Sequence, residues 1–324
     1  MDDVRRGIVR GLDALGVDVA SFNLGDRVAF YTSVELERDG DRRRALDYEA
    51  ACTLACNGIK VECWNYLPDI VIVVSSFFLP PELYVNLRER GRHVVLWCTE
   101  SPYEDERQLK IAPFADTVIV NDPTNLDRFR AVNPRTWYIP HAYDPTVHHA
   151  DGRTDDVPFS FVGTGYPSRV EFFERAELPD GSLFAGNWRD LAPTSRLRRW
   201  VHGPPDECLA NDDTARLYRR SVTSANLYRK EAMAPELVDG WAIGPREVEL
   251  AACGTYFLRE PRGEGDDLFP MLPTFTTPAE LGEQVRWALA HPDARQDAAT
   301  AARAAIAGRT FRANAAELLR LISA

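Results

Sequence analysis

Short apolar runs rich in β-branched residues recur along the chain, each followed by a stretch whose apolar positions fall at helical spacing. That alternation is the pattern of buried parallel strands joined by crossover helices. In the first half the clearest strands cover residues 69–75, 93–98, 116–121 and 137–140, with helices over 81–90, 104–112 and 124–132 between them. Pro80, Pro81 and Pro123 stand where those helices begin, where a missing N–H costs nothing. The start departs from the pattern: an amphipathic helix over 3–15 leads into a strand over 17–22, so the strand and glycine turn that normally open such a domain are missing.

A polar stretch, residues 148–156, interrupts the alternation and has the composition of an exposed connection. A second series follows it, with strands over 159–163, 182–186, 222–227 and 255–258, and helices over 167–175, 213–220 and 245–252. The tail reads as helix from 278 to 289 and again from 293 to 322, with a break near Gly308. A chain of 324 residues exceeds what one core organises, so the expectation is an α/β protein of two Rossmann-like domains, residues 1–150 and 151–324.

Composition narrows the classes. Hydrophobic residues at 45% and charged residues at 27% specify a packed globular chain. The longest apolar runs, 70–74 and 77–79, are split by Ser75 and Ser76 and fall short of the ~20 residues of a membrane helix, so no membrane insertion is expected. The first residues lack the apolar stretch of a secretory signal, which points to a cytoplasmic location. Six cysteines, among them Cys52, Cys56 and Cys63 on one helix, show no CxxC pair and read as buried thiols rather than a zinc or redox site. A net charge of -11 repels polyanions, and the basic runs 42–44, 196–199 and 219–220 read as solvated faces.

Residues 244–255, Gly-Pro-Arg-Glu-Val-Glu-Leu-Ala-Ala-Cys-Gly-Thr, resemble the donor-site helix of GT-B glycosyltransferases, in which a Glu precedes a small-residue helix ending in Gly and a strand. Within that fold the chain looks most like the CgeB-like family, named for a spore-maturation protein. The likeness continues through Phe269, Phe275, residues 278–281 and Phe311-Arg312, covering the chain from 159 onward and the first half only loosely. It implies that Glu249 accepts the ribose hydroxyls of a nucleotide sugar. Arg246 and the helix start at Gly244-Pro245 would face the diphosphate. Spacing of three puts Arg246 and Glu249 on one face, and the same spacing also suits a plain intrahelical salt bridge. Where many relatives carry a second Glu, eight positions earlier, this chain has Trp241.

By the same resemblance, residues 161–169 look like the first strand and turn of the donor domain. Gly163 and Gly165 would let backbone approach a phosphate, and Arg169 would add charge. Asn226, with Tyr228 and Arg229, would line the base or sugar pocket. His141, in His-Ala-Tyr-Asp-Pro, resembles the hinge segment of these enzymes and would touch the donor sugar or its phosphate, while Asp144 suits a turn cap. Glu100 lies where a parallel strand ends, the usual ligand edge of an α/β sheet, and is the candidate general base, with Asp105 and Asp122 as rivals. Glu104 and Asp105 also suit a helix start.

The implied activity is metal-independent glycosyl transfer from a nucleoside-diphosphate sugar, a UDP-sugar by analogy, to an acceptor hydroxyl, with no cofactor required. Asp212-Asp213 and Asp266-Asp267 are adjacent pairs without the DxD spacing of metal-dependent relatives. The acceptor is a protein, a glycan, a small molecule or a modified DNA base. The acidic balance disfavours DNA, and the run 196–199 keeps it open. The alternatives on this scaffold are an epimerase or phosphorylase and, from a different class, a non-catalytic sugar-nucleotide sensor or assembly protein.

Overall fold

The chain folds around two separate parallel sheets, each with its own core, in a computed structural model that describes residues 2–75, 79–204, 206–231 and 239–323. Part of the second apolar run, residues 77 and 78, lies outside those bounds. The first unit comprises residues up to 121, 125–139 and from 319 onward; the second comprises 122–124 and 140–318.

The first unit opens with α1 (Asp2–Asp13) and α2 (Leu24–Ser33), an antiparallel hairpin of β1 (Glu35–Arg38) and β2 (Asp41–Arg44), and α3 (Tyr48–Tyr66). Then come β3 (Ile70–Val74), α4 (Pro81–Leu87), β4 (His93–Cys98), α5 (Asp105–Gln108), β5 (Thr117–Val120), α6 (Leu126–Val132) and β6 (Thr136–Tyr138). Strands β3 to β6 pair in sequence order, all parallel, with Ile70 opposite His93, Val95 opposite Thr117 and Val118 opposite Thr136. Val94, Leu96, Val118 and Val120 are fully buried against Leu83, Leu87 and Phe129.

The expected strand over 17–22 does not form. Its alternation fixes which side chains face inward, but a strand needs a ladder partner, and the outermost sheet strand there, β3, pairs with β4 alone. Phe22 instead packs at Gly58, where a Cβ would stand 3.1 Å from the ring. Cys56 and Cys63 are buried on α3, and burial pushes both thiols up. The basic run 42–44 sits on the exposed β2, where Arg42 bonds Glu37 at 3.1 Å.

In the second unit β7 (Val157–Val162), α7 (Pro167–Arg175), β8 (Leu183–Ala185), α8 (Asn211–Arg220), β9 (Ser221–Asn226), α9 (Pro245–Ala252) and β10 (Tyr256–Arg259) form a parallel sheet in the order β10-β9-β7-β8. The chain runs outward from β7 to β8, then returns to the other side of β7 for β9 and β10. Strand order therefore reverses between β7 and β9, and at such a point the helices on either side diverge and leave a crevice at the carboxyl ends of the strands. Helices α10 (Gly263–Leu268), α11 (Pro278–Ala290), α12 (Pro292–Ala305) and α13 (Phe311–Ile322) follow. The core is aromatic: Phe173 lies 4.8 Å from both Phe161 and Phe184, and Phe184 stacks on Trp200 at 6.0 Å.

The three arginines of the run 196–199 are exposed, as expected of a solvated basic face, and two of them also bond main-chain carbonyls. The run forms a 3-10 turn over 196–200 with Leu197 and Trp200 buried. Arg196 donates to the carbonyls of Phe173 (3.2 Å) and Ala176, and Arg198 donates to those of Ala192 (2.8 Å) and Leu191. These guanidinium groups satisfy carbonyls at the end of α7 and in the loops after α7 and β8. Arg219 likewise bonds the carbonyl of Val147 at 3.1 Å.

Candidate functional site

The switch point brings three segments together: the end of β7, the end of β9 and the start of α9. Arg246, in the first turn of α9, donates through Nε to the carbonyl of Val162 at 2.7 Å and through Nη1 to Asn226 Oδ1. Its guanidinium lies over the Phe161 ring, 4.7 Å from the centroid. Gly163 makes room for it: a Cβ there would stand 2.5 Å from Arg246 Nη2.

Asn226 continues the network, donating from Nδ2 to Glu247 Oε2 at 2.8 Å. The same oxygen accepts from Tyr228 Oη at 2.6 Å and from the Gly244 backbone N–H at 2.8 Å. Glu247 is fully buried, and burial lifts its carboxyl to about 7 despite those donors and the charges of Arg259 and Arg262. It was not among the expected site residues. The signal for it was the Gly-Pro-Arg-Glu start, in which an acidic residue at the third helical position reaches back to the cap. One consequence is that the Gly244 N–H, expected to meet a diphosphate, is occupied by this carboxyl.

Glu249 follows on the same helix. Its Oε1 lies 4.0 Å from His148 Nε2, which is 3.2 Å from Asn211 Oδ1. Tyr218 sits next to both Arg246 and Glu249, and its buried phenol is pushed well up, first by burial and then by the Glu249 charge. Arg246 and Glu249 are thus both engaged within the protein rather than projecting into bulk solvent.

The turn after β7 is built for packing. The amides of Gly163 and Gly165 donate to the carbonyls of Ala185 (2.9 Å) and Asn187 (2.8 Å), prolonging the β7–β8 ladder. A Cβ on Gly165 would collide with the Trp188 indole. Arg169, buried between the Phe161 and Tyr166 rings, ties this turn to the end of β9 by bonds to the carbonyls of Thr164 (3.1 Å) and Leu227 (2.7 Å).

Residues 146–320 match the model of a family described as glycosyl transferase-like, a span that includes the whole second sheet and every residue of this network. The chain belongs to that family. No curated protein matches the sequence significantly. Among solved structures, HepE of Anabaena in complex with UDP-glucose is 14% identical over 82% of each chain, with a TM-score of 0.57. TarM is 10% identical, covering 88% of this chain and 60% of its own, at 0.57. A trehalose-6-phosphate structure from E. coli bound with UDP-2-fluoro glucose is 10% identical over 98% of this chain and 95% of that one, at 0.56. At these identities the likeness is one of fold, and the fold is GT-B.

The remaining expected residues of this glycosyltransferase fall in two places. In the second unit His141 is partly buried, and its imidazole is held down to about 4, first by burial and then by the Arg309 and Arg262 charges, with Asp122 opposing. It is therefore neutral at neutral pH. Asp122, a rival base, is committed to the backbone: it accepts from Ala242 N at 2.9 Å and from Thr124 N at 2.8 Å. Asp144 caps its own turn, accepting from Thr146 N at 2.9 Å and Thr146 Oγ1 at 2.6 Å. Trp241 is partly exposed, and its indole occupies the space that a Cβ on Gly263 would fill.

In the first unit Glu100 follows β4, partly exposed, with its carbonyl accepting from Glu104 N at 3.1 Å. Asp105 is fully buried and receives Asn125 Nδ2 at 3.0 Å. Glu100 is thus more exposed than Asp105. Among the described residues no group of three His, Cys, Asp or Glu side chains is placed to hold a metal ion, and no helix is long and apolar enough to cross a membrane.

Proposed function

We propose that this glycosyltransferase moves the sugar of a UDP-sugar onto an acceptor hydroxyl, as a CgeB-like member of the GT-B enzymes. The observation that carries the reading is the Arg246 guanidinium, held by Val162 and Asn226 at the switch point of the unit that the family model matches. The solved HepE structures hold UDP-glucose or UDP, which supports a uridine nucleotide as the donor.

In the proposed reaction the acceptor oxygen attacks the anomeric carbon, the bond from that carbon to the β-phosphate oxygen breaks, and its electron pair leaves with UDP. Arg246 stabilises the charge that develops on the diphosphate. Glu249 accepts the ribose hydroxyls, Asn226 lines the base or sugar pocket, and His141 contacts the sugar as a neutral imidazole. Arg169 and the two glycines, Gly163 and Gly165, shape the turn beneath the phosphates. Residues 1–150 serve as the acceptor-side domain, where Glu100 takes the proton of the acceptor hydroxyl. The acceptor is a hydroxyl on a macromolecule.

Titration with UDP-glucose, followed by release of UDP on addition of a host macromolecular extract, tests the reading. Arg246→Ala is expected to weaken UDP-glucose binding by about tenfold or more, the scale of a lost charge-assisted hydrogen bond. Equal binding by wild type and variant overturns the role of Arg246. Tight binding with no release in any extract favours the sensor.

A further inference from the structure

The proposed reaction leaves the buried carboxyl of Glu247 unused; Glu260, after β10, is also unused, but it accepts from Tyr228 N at 2.6 Å and lies 3.8 Å from Lys230. Glu247 Oε2 gathers donors from three segments: Asn226 Nδ2 at the end of β9, Tyr228 Oη two residues beyond it, and Gly244 N at the start of α9. Oε1 is equally buried and has no hydrogen-bond donor among the described residues. Through its other amide atom Asn226 bonds Arg246, so one side chain separates Glu247 from the guanidinium. Two further charged groups face this carboxyl. Arg259 of β10 is bonded to Asp266 at 2.8 Å, and Arg262, before α10, lies 3.8 Å over the Tyr228 ring and donates to the carbonyl of Ala242 at 3.1 Å. Both guanidinium groups are thus bonded elsewhere and act on Glu247 through charge.

We infer that Glu247 is a positioning residue of the donor site, fixing Asn226 and through it Arg246, and that it takes up a proton when an anionic donor binds. The inference rests on the donor reading above. A diphosphate placed on Arg246 cancels part of the positive field that favours the ionised carboxylate in a dry surrounding. Oε1 can receive the proton without breaking any of the three bonds to Oε2. Burial already brings this carboxyl to about 7, so the exchange falls at neutral pH.

The experiment is calorimetry of the full chain with UDP-glucose from pH 6.5 to 8.5, in buffers of different ionisation enthalpy. UDP-glucose is chosen because its diphosphate is esterified at both ends and does not titrate in that range. Wild type is expected to take up protons on binding and to lose about threefold or more in affinity across the range. Glu247→Gln keeps the acceptor oxygen and is expected to bind within about threefold of wild type at pH 6.5, with no proton uptake and a flat profile. Glu247→Leu, which removes the acceptor, is expected to lose about tenfold or more.

Proton uptake by Glu247→Gln equal to that of wild type overturns the inference, since another group then titrates. So does a folded Glu247→Leu that binds as wild type does. If Glu247→Leu does not fold, the glutamine variant decides alone. Wild type that binds no UDP-glucose at any pH overturns the donor reading itself, and this inference with it.

Discussion

Three buried carboxyl groups take the amides of three consecutive residues: Asp122 holds Ala242 N, Glu264 holds Ile243 N at 2.8 Å, and Glu247 holds Gly244 N. Arg309 bonds Glu264 at 2.6 Å, so that carboxylate is also charge-paired, whereas Glu247 carries one bare oxygen. The difference should appear in stability. The folded-state carboxyl of Glu247, at about 7, lies above its ordinary value of 4.5. Folding therefore favours its protonated form: the contribution is fully present below the unfolded value and is lost as pH rises toward and through 7. The full loss is about 3 kcal/mol, at 1.36 kcal/mol per unit. Glu247→Gln cannot ionise, so its stability relative to wild type should increase from pH 5 to pH 8. Urea melts of both proteins at the two pH values measure this, and a constant difference would mean that the carboxyl titrates alike in the folded and unfolded states.

At the scale of elements, the turn between β7 and α7 shows how packing stands behind a glycine that looks like a phosphate signal. Gly165 lies against the rigid, buried indole of Trp188, so Gly165→Ala forces the ring or the turn to move. The expected cost is about 1–3 kcal/mol, the range of overpacked cores. Chemical denaturation checks it, and a variant as stable as wild type would show that the turn yields freely. The ambiguity of that glycine illustrates what was legible in the chain. Strand β4 and helices α7 and α9 match their expected bounds because buried strands read as continuous apolar runs, and Pro at the first turn marks each helix start. The strand at 17–22 failed because pairing is non-local and alternation does not supply a partner. The run 196–199 is exposed as its sequence suggests, but the carbonyl bonds of Arg196 and Arg198 reach residues distant enough in the chain to leave no local signal. Asn226 and Arg246 bond each other, and neither that bond nor Glu247, which connects Asn226 to the helix start, emerges until β9 and α9 are brought side by side.

At the scale of the whole molecule, charge opposes the ligand. The chain carries -11 at neutral pH, and a UDP-sugar brings a negatively charged diphosphate. In the proposed donor site, attraction would come from guanidinium groups that are largely enclosed: Arg169 is buried, and Arg246 is bonded to Val162 and Asn226. Such short contacts are weakly screened by salt, whereas the repulsion between approaching donor and protein acts over distances beyond the Debye length of about 10 Å at 0.1 M. Added salt should therefore remove more repulsion than attraction. The association rate of UDP-glucose is expected to rise by about twofold or more between 20 and 200 mM salt, opposite to the fall seen when a basic surface steers an anion inward. Stopped-flow tryptophan fluorescence measures this directly. A rate that falls over that range would place the governing field in a local basic entrance rather than in the acidic surface as a whole. The same acidic field weakens the case for DNA as the acceptor, and the exposed run 196–199 is the local basic patch against which that case has to be tested.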